Sequence, residues 1–253
     1  MLSTADLRNA LAAIRVTAPV RSDEVTPSTN ATASAMAEEG APEWTLVAAG
    51  HQTEGRGRLG RDWVDVPGRA LMCSVVLRPT MQPNKAGLVS LLAGASMAEA
   101  IRDETGLPAT CKWPNDVLLG NAKVGGILME SSVRDGRFRH VVLGVGVNLD
   151  APPGLPGATG LGDVAVRRLF RSFLVRFHEA YVAQEPSLVE RVRAAWMPMS
   201  ATIGKLVEAR TTMGEVVVGR GVDLDDFGGL CLSTDSGTAV VSFGDIEHLA
   251  EPA

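Results

Sequence analysis

Two segments of the sequence carry residues whose types and spacing suit phosphate chemistry. The first is a glycine-rich loop at residues 55–63 that holds three arginines, Arg56, Arg58 and Arg61. Bare glycine backbone lets an anion approach closely, and each guanidinium can bind two oxygens of a phosphate or carboxylate. A solvated arginine–glycine loop has the same composition, so this loop is a weak signal when it stands alone.

The second segment, residues 112–126, adds two lysines, one amide and one carboxylate: Lys112, Asn115, Asp116 and Lys123. Lys123 carries a compact ammonium that suits two neighbouring anions at once. Asp116 offers a hard oxygen for Mg²⁺, which usually binds through one or two carboxylates and phosphate oxygens. Lys112 either contacts phosphate or is solvated at a strand end. Taken together, the two segments predict a site where nucleotide phosphates are rearranged.

Composition places these segments in a folded protein without nucleic-acid or membrane features. The chain has 253 residues, of which 45% are hydrophobic, enough for a packed core. Acidic residues outnumber basic ones from residue 201 onwards, and the preceding residues are close to neutral. Neither part has the basic surface of a DNA-binding protein. Because no signal-peptide core and no apolar run of ~20 residues is present, we expect a cytoplasmic protein without a membrane anchor.

Helices and strands alternate along the first part of the chain. Ser3 or Thr4 caps a first helix, and Ser28 opens a second helix that Gly40 ends. Only one helix precedes Ser28, which leaves no room for a helix-turn-helix module. The hydrophobic pattern predicts helices at 3–14, 28–40, 85–105 and 164–197, the last divided at Pro186, and strands at 45–51, 70–78, 111–119, 124–133 and 138–149.

The C-terminal part of the chain has a different pattern. Residues 150–163 hold three prolines and four glycines and predict a long loop, a kind of segment that is usually functional or disordered. From residue 201 the sequence predicts short strands at 206–210, 215–224, 230–234 and 239–243. We therefore expect a boundary near Met199, with a first domain of residues 1–199 and a small all-β barrel of residues 200–253.

With these motifs in place, the chain resembles the biotin–protein ligases, also called biotin–[acetyl-CoA-carboxylase] ligases. Several motifs in the family's order and spacing are far more specific than any one of them. The resemblance is to the single-function class, which lacks the N-terminal winged-helix repressor domain of bifunctional members. Leu59 departs from relatives that carry a polar or basic residue there. The resemblance rests on Ser28-Thr29-Asn30, Gln52 with GRGRLGR-x-W, KWPNDVLL at 112–119, KVGGILME at 123–130, GVGVN at 144–148, and a C-terminal segment ending in Gly244-Asp245-Ile246.

The resemblance implies an α+β fold and a two-step reaction. The fold would be a mixed sheet flanked by helices, like that of class II synthetases, with a C-terminal SH3-like barrel. In the reaction, biotin and ATP with Mg²⁺ would form biotinyl-5′-AMP and release pyrophosphate. A lysine of a biotin carboxyl carrier domain, from an acyl-CoA or pyruvate carboxylase, would then accept biotin and release AMP. No enzyme nucleophile is needed, which agrees with the lack of a candidate Ser-His-Asp or Cys-His arrangement.

The resemblance also implies a role for each candidate residue. The implied catalytic residues are Lys123, Arg58 and Asp116, and Asp116 is also the implied metal ligand. The implied biotin-binding residues are Ser28, Thr29, Asn30, Gln52, Arg56, Gly57, Arg58, Lys123 and Gly125. The implied ATP-binding residues are Arg56, Arg58, Arg61, Trp63, Lys112, Asn115 and Asn148.

Several of these roles have alternatives. Trp63 either stacks on adenine or anchors the end of the loop in the core, and Asn148 either contacts ATP or starts a turn. Asp116 has a second candidate role beside metal binding, which is to assist deprotonation of the incoming lysine. We expect the loop at 150–163 to fold over the adenylate and to shield it from water.

The nearest alternative function is that of a lipoate–protein ligase, which uses the same adenylation chemistry. Ser28, Thr29, Asn30 and Gln52 favour a ureido ring, which has hydrogen-bonding groups that a dithiolane lacks. Binding of DNA and a repressor function are disfavoured by the charge distribution and by the presence of only one helix before Ser28. The sequence leaves open a homodimer formed at a sheet edge.

Overall fold

The computed structural model describes residues 1–242 and 244–249, and these residues form two β-sheets with five α-helices. The first sheet is mixed, because β1 and β2 are parallel whereas its other neighbouring strands are antiparallel. In spatial order its strands are β1 (Val20–Thr26), β2 (Leu46–Gln52), β3 (Ala70–Leu77), β7 (Arg137–Asn148), β6 (Ala122–Arg134), β5 (Asp116–Leu119) and β4 (Ala109–Lys112).

The helices begin and end at residues that satisfy free backbone groups. Ser3 and Asp6 form a reciprocal capping box at the start of α1, and the Ser28 hydroxyl accepts from the backbone of α2. Gly106 adopts a left-handed conformation, with φ of 72°, and ends α3. The helices are α1 (Thr4–Ala13), α2 (Thr29–Glu38), α3 (Ala86–Thr105), α4 (Val166–Val182) and α5 (Leu188–Trp196).

The two faces of the first sheet are covered unequally. Helices α1, α3, α4 and α5 contribute to the large core on one face, which includes Leu46 and Val75 from the sheet. Helix α2 packs on the other face against Val47 and Val76, the neighbours of those two residues along their strands. Because alternate residues of a strand face opposite sides, each strand is apolar on both sides here. The single helix α2 leaves the rest of its face free for a cavity.

The second sheet is antiparallel and is joined to the first part of the chain through Trp113. The buried Trp113 indole donates from Nε1 to the Gly228 carbonyl at 3.0 Å, and its backbone N–H donates to the Thr202 hydroxyl at 3.1 Å. In spatial order the strands are β11 (Gly237–Val241), β10 (Leu230–Thr234), β9 (Val216–Leu224), β8 (Leu206–Thr211) and β12 (Gly244–His248).

The expected α+β fold with a small C-terminal β-sheet is confirmed, but three sequence predictions need correction. The strand expected at 111–119 is wrong, because residues 113–115 form a turn between the antiparallel strands β4 and β5. The strands β1 and β12 were not predicted. The strand expected at 239–243 corresponds to β11, and Phe243 lies outside the described residues. The boundary near Met199 stays a prediction.

None of the described helices combines the length and the apolar character needed to cross a bilayer.

The hydrogen bond from the Trp113 backbone to Thr202 generates a stability prediction. Thr202→Val keeps the shape of the side chain but leaves a buried N–H without an acceptor, because Thr202 is fully buried. We expect the free energy of unfolding to fall by about 1–3 kcal/mol, measured by urea denaturation. Thr238→Val, at an exposed position of β11, is the matched control and should stay within about 0.5 kcal/mol of the wild type. Equal midpoints for both variants would contradict the prediction.

Candidate functional site

A cavity of about 330 Å³ lies on the face of the first sheet that carries α2. Two glycines of β7 create the space beside it. A Cβ atom at Gly144 would lie 2.3 Å from Oδ1 of Asn30, and one at Gly146 would lie 2.7 Å from the Trp63 ring. These positions therefore accept the amide and the indole only because they lack side chains. The candidate residues on the cavity wall are Ser28, Thr29, Asn30, Gln52, Arg56, Gly57, Arg58, Arg61, Trp63, Lys112, Asn115, Asp116 and Lys123.

The arginine loop holds its shape through its own backbone. Gly57 donates to the Arg61 carbonyl at 2.6 Å, and Trp63 donates to the Gly55 carbonyl at 2.9 Å. Leu59 at the tip has a left-handed conformation, with φ of 54°, which turns the chain back. The loop therefore presents its guanidiniums from a closed hairpin rather than from a flexible strand.

A carboxylate of the second sheet reaches two of these arginines. The Asp245 side chain on β12 forms ion pairs with Arg58, at 3.2 Å, and with Arg61. Arg58 also donates to the Gly244 carbonyl at 3.0 Å. Burial lowers the pKa of Arg58, and the Asp245 carboxylate acts against that shift. The C-terminal sheet thus contributes a charged group to the cavity wall, together with the exposed Glu247.

The second candidate segment also contributes side chains to the cavity wall. Lys123 Nζ lies 2.6 Å from Oδ1 of Asp116, on the neighbouring strand β5. The Asn115 amide donates to the Ile127 carbonyl at 2.7 Å, which fixes the turn against β6. Within residues 1–242 and 244–249 there is no cluster of three or more His, Cys, Asp or Glu side chains that could hold a metal ion by itself. Asp116 is therefore a single carboxylate beside a lysine.

The indole of Trp63 both anchors the loop and lines the cavity. Its ring lies against the backbone of Gly126 and Gly146, so it packs on β6 and β7. Its Nε1 is buried, and no group in the described part of the chain accepts from it. Trp63 therefore anchors the end of the loop, as one of its two sequence interpretations has it. Its stacking on adenine, the other interpretation, stays a prediction.

Two candidate residues are not on the cavity wall. At Gly125, an added Cβ atom would face β7 and would lie 2.8 Å from the Gly146 carbonyl oxygen. Asn148 is buried and donates to the Thr159 carbonyl at 3.2 Å, so it binds the loop at 150–163. Its Oδ1 has no partner among the residues that the structure describes.

The loop at 150–163 contains no helix or strand, and hydrogen bonds hold it at both ends and in the middle. Arg69 binds both oxygens of Asp150 at 2.8 Å and one oxygen of Asp163 at 3.0 Å. In the middle, the backbone of Lys123 donates to the Gly157 carbonyl at 2.7 Å and accepts from Thr159 at 2.9 Å. The loop therefore lies directly beside the lysine of the cavity.

Sequence reasoning did not assign a site role to three residues that contact the candidate set: Ser74, Glu130 and Asp245. Ser74 is hidden in an apolar strand, and Glu130 stands at the end of a quoted motif without a role of its own. Asp245 lies in the segment that closes the resemblance, and only the packing of the second sheet brings it to the arginines.

Comparison with known proteins gives a consistent result. Residues 23–148 match the Biotin/lipoate A/B protein ligase family, and residues 202–249 match the Biotin protein ligase C terminal domain. The chain is 38% identical over 235 residues to the Mycobacterium tuberculosis protein "Biotin--[acetyl-CoA-carboxylase] ligase", covering 88% of this chain and 86% of that protein. It is 32% identical over 235 residues to "Bifunctional ligase/repressor BirA" of Bacillus subtilis, covering 88% of this chain and 72% of that protein.

The fold is also similar to solved structures. A biotin protein ligase from Aquifex aeolicus in complex with biotin and ATP superposes with a TM-score of 0.72 at 24% identity, over 90% of this chain and 97% of that one. At this level of identity the likeness shows the fold alone.

The ion pairs of Asp245 generate a prediction about anion binding. Asp245 competes with any bound phosphate for Arg58 and Arg61, and the arginine loop keeps its shape through its own backbone bonds. We expect Asp245→Asn to tighten binding of pyrophosphate by about two- to fivefold in calorimetric titration. Glu247→Gln removes a charge from the same strand and should change the affinity less, because Glu247 has no ion pair within residues 1–242 and 244–249. Weaker binding in Asp245→Asn would show that this carboxylate orients the arginines instead.

Proposed function

This chain belongs to the Biotin/lipoate A/B protein ligase family, and from that membership we propose how its cavity performs ATP-dependent biotinylation of a carrier-protein lysine. The chain is a biotin ligase rather than a lipoate ligase, because relatives that span most of its length are biotin--[acetyl-CoA-carboxylase] ligases. One observation carries the assignment of this reaction to this cavity. Positively charged side chains, namely the arginines and Lys123, line the same cavity of about 330 Å³ as the hydroxyl and amide groups.

The charged wall suits the first step, in which the biotin carboxylate attacks the α-phosphorus of ATP. A bond forms between the carboxylate oxygen and phosphorus, and the bond to the β-phosphate oxygen breaks, so pyrophosphate leaves with the electron pair. Two anions must approach each other for this to occur. Lys123 and Arg58 both line the cavity and can offset that repulsion, while Arg56, Arg61 and Lys112 receive the remaining phosphate charge.

The polar wall suits the ureido ring of biotin. Thr29 N–H donates to Oε1 of Gln52 at 2.7 Å, which leaves the NH₂ group of that side chain free to turn towards the cavity. An amide N–H in this position can donate to a carbonyl oxygen of the ring. Ser28 caps α2 through its hydroxyl and lines the cavity as well, so both roles proposed for it hold together.

Magnesium would enter this site with the nucleotide. Mg²⁺ usually keeps several waters and binds through one or two carboxylates plus phosphate oxygens, which fits a cavity with Asp116 as its proposed protein ligand. When bound, the ion neutralises phosphate charge and favours departure of pyrophosphate. Lys123 pairs with the same carboxylate, so the residue would be shared between the ammonium and the ion.

In the second step, the amine of the carrier lysine attacks the acyl carbon of biotinyl-5′-AMP. A C–N bond forms, the bond from carbon to the phosphate oxygen breaks, AMP leaves, and the amine loses a proton. We infer that Asp116 is the acceptor for this proton when it is not paired with Lys123. We further infer that the loop at 150–163 excludes water from the mixed anhydride, because it is held against Lys123.

The partner inferred for this reaction is the biotin carboxyl carrier domain of an acyl-CoA carboxylase. The name of the relative that is 38% identical contains acetyl-CoA carboxylase, which supports this proposal.

Pyrophosphate release tests the reaction and the role of Lys123 together. With ATP and Mg²⁺, we expect the wild type to release pyrophosphate when biotin is added and not when lipoate is added. Lys123→Ala should lower the biotin-dependent rate by about 100-fold or more, because a preorganised charge is lost at the reacting phosphate. Release with lipoate alone would overturn the biotin assignment, and an unchanged rate in Lys123→Ala would remove that residue from the step.

Limited proteolysis tests the shielding role of the loop. We expect cleavage within 150–163 to fall when biotin and ATP are added together, and to stay unchanged with lipoate and ATP. Arg69→Gln should raise cleavage in the free protein, because it releases the ends of the loop at Asp150 and Asp163. Arg137→Gln, at an exposed position of β7, is the matched control. Equal cleavage with and without substrates would count against a shielding loop.

A further inference from the structure

A continuous set of hydrogen bonds runs beneath the cavity and includes two residues outside the proposed binding set. Oδ1 of Asn30 lies 2.6 Å from the Ser74 hydroxyl, and Nδ2 of Asn30 lies 2.7 Å from Oε2 of Glu130. The Ser74 hydroxyl also lies 2.8 Å from that of Thr29, which in turn contacts Gln52. Ser74 is fully buried, and Asn30 is 4% exposed.

The direction of these bonds follows from the acceptors that surround Asn30. Its Nδ2 group faces a backbone carbonyl, that of Leu128 at 3.3 Å, and the carboxylate of Glu130. Both are acceptors, so the nitrogen must face them, and Oδ1 must face Ser74. The Ser74 hydroxyl is therefore the donor to both Asn30 and the Thr29 hydroxyl, with its single proton shared between them, and the Thr29 proton is left for Oε1 of Gln52.

This arrangement gives Asn30 a structural role that does not require contact with a ligand. Its two N–H groups and its carbonyl oxygen already have protein partners, so the amide does not need a ligand to satisfy it. At the other end of the network, the backbone N–H and the hydroxyl of Thr29 both donate to Oε1 of Gln52. The nitrogen of the Gln52 amide is then the group that can donate to a ligand. The network thus sets which end of the Gln52 amide the cavity presents.

We propose that Ser74 and Glu130 are positioning residues that hold Asn30 and, through Thr29, orient the Gln52 amide for biotin. The inference rests on the proposed function, since it names the residues that prepare the biotin end of that site. Neither residue is on the cavity wall. The second oxygen of Glu130 lies 3.8 Å from Arg56, with both side chains about half exposed, so this contact is the weaker of its two.

Kinetics of biotin-dependent ATP–pyrophosphate exchange in the purified full-length protein test the proposal. We expect Ser74→Ala and Glu130→Ala each to raise KM for biotin about tenfold, because each leaves a buried amide group unpaired. KM for ATP should stay within about twofold in both variants. Glu130→Gln keeps an acceptor for Asn30 and removes the charge beside Arg56, so it should restore KM for biotin to within about twofold of wild type.

The controls separate positioning from other roles. Ser96→Ala removes another buried hydroxyl, on α3, and should leave both KM values unchanged. If Glu130→Gln and Glu130→Ala both raise KM for ATP instead, the carboxylate acts on Arg56 and the proposal is wrong. If KM for biotin is unchanged in Glu130→Ala, the network does not position the site. The partly exposed Glu130 keeps the test decisive even where Ser74→Ala fails to fold.

A failure of the proposed function would give a different result from a failure of the positioning proposal. The wild type would then show no exchange with biotin, whatever the variants do.

Discussion

The constraint on which this structure depends is the repulsion among positive charges gathered in one cavity. Two like charges 4 Å apart repel by about 4 kcal/mol at the effective dielectric constant near a protein surface. Carboxylates from three separate strands lie beside these positive charges and reduce their repulsion. Asp116 on β5 pairs with Lys123, Asp245 on β12 pairs with Arg58 and Arg61, and Glu130 on β6 lies near Arg56. Each pair is partly exposed, so phosphates can exchange for the carboxylates at modest cost.

This constraint explains why the C-terminal sheet belongs to the site and is more than a support. Its strand β12 must stand beside the arginine loop to deliver Asp245, and the contacts of Trp113 with Thr202 and Gly228 fix the sheet against the same part of the first sheet. Trp113 and Asn115 lie in the same turn. One short segment therefore joins the two sheets and forms part of the cavity wall.

The sequence predicts the side chains that line the cavity better than it predicts the partners that hold them. Arginines in a glycine-rich loop and lysines beside a turn are local patterns, and they can be recognised without knowing what they contact. The bonds of Ser74 depend instead on the register of β3 with β7, which no local pattern records. The strand β1 was missed because its sequence is largely polar at a sheet edge, and the run at 111–119 was joined across a turn that contains Pro114.

The backbone of Lys123 couples shielding to charge. Its N–H and carbonyl are both bonded to the loop at 150–163, and its side chain faces Asp116 in the cavity. Any movement that lifts the middle of this loop must break two hydrogen bonds at Lys123, the residue proposed to offset the charge of the reacting phosphate. A mixed anhydride hydrolyses in water, so its formation is useful only while water is excluded. Because the same backbone holds the lysine and the loop, the proposed charge and the proposed shield from water depend on the same two hydrogen bonds.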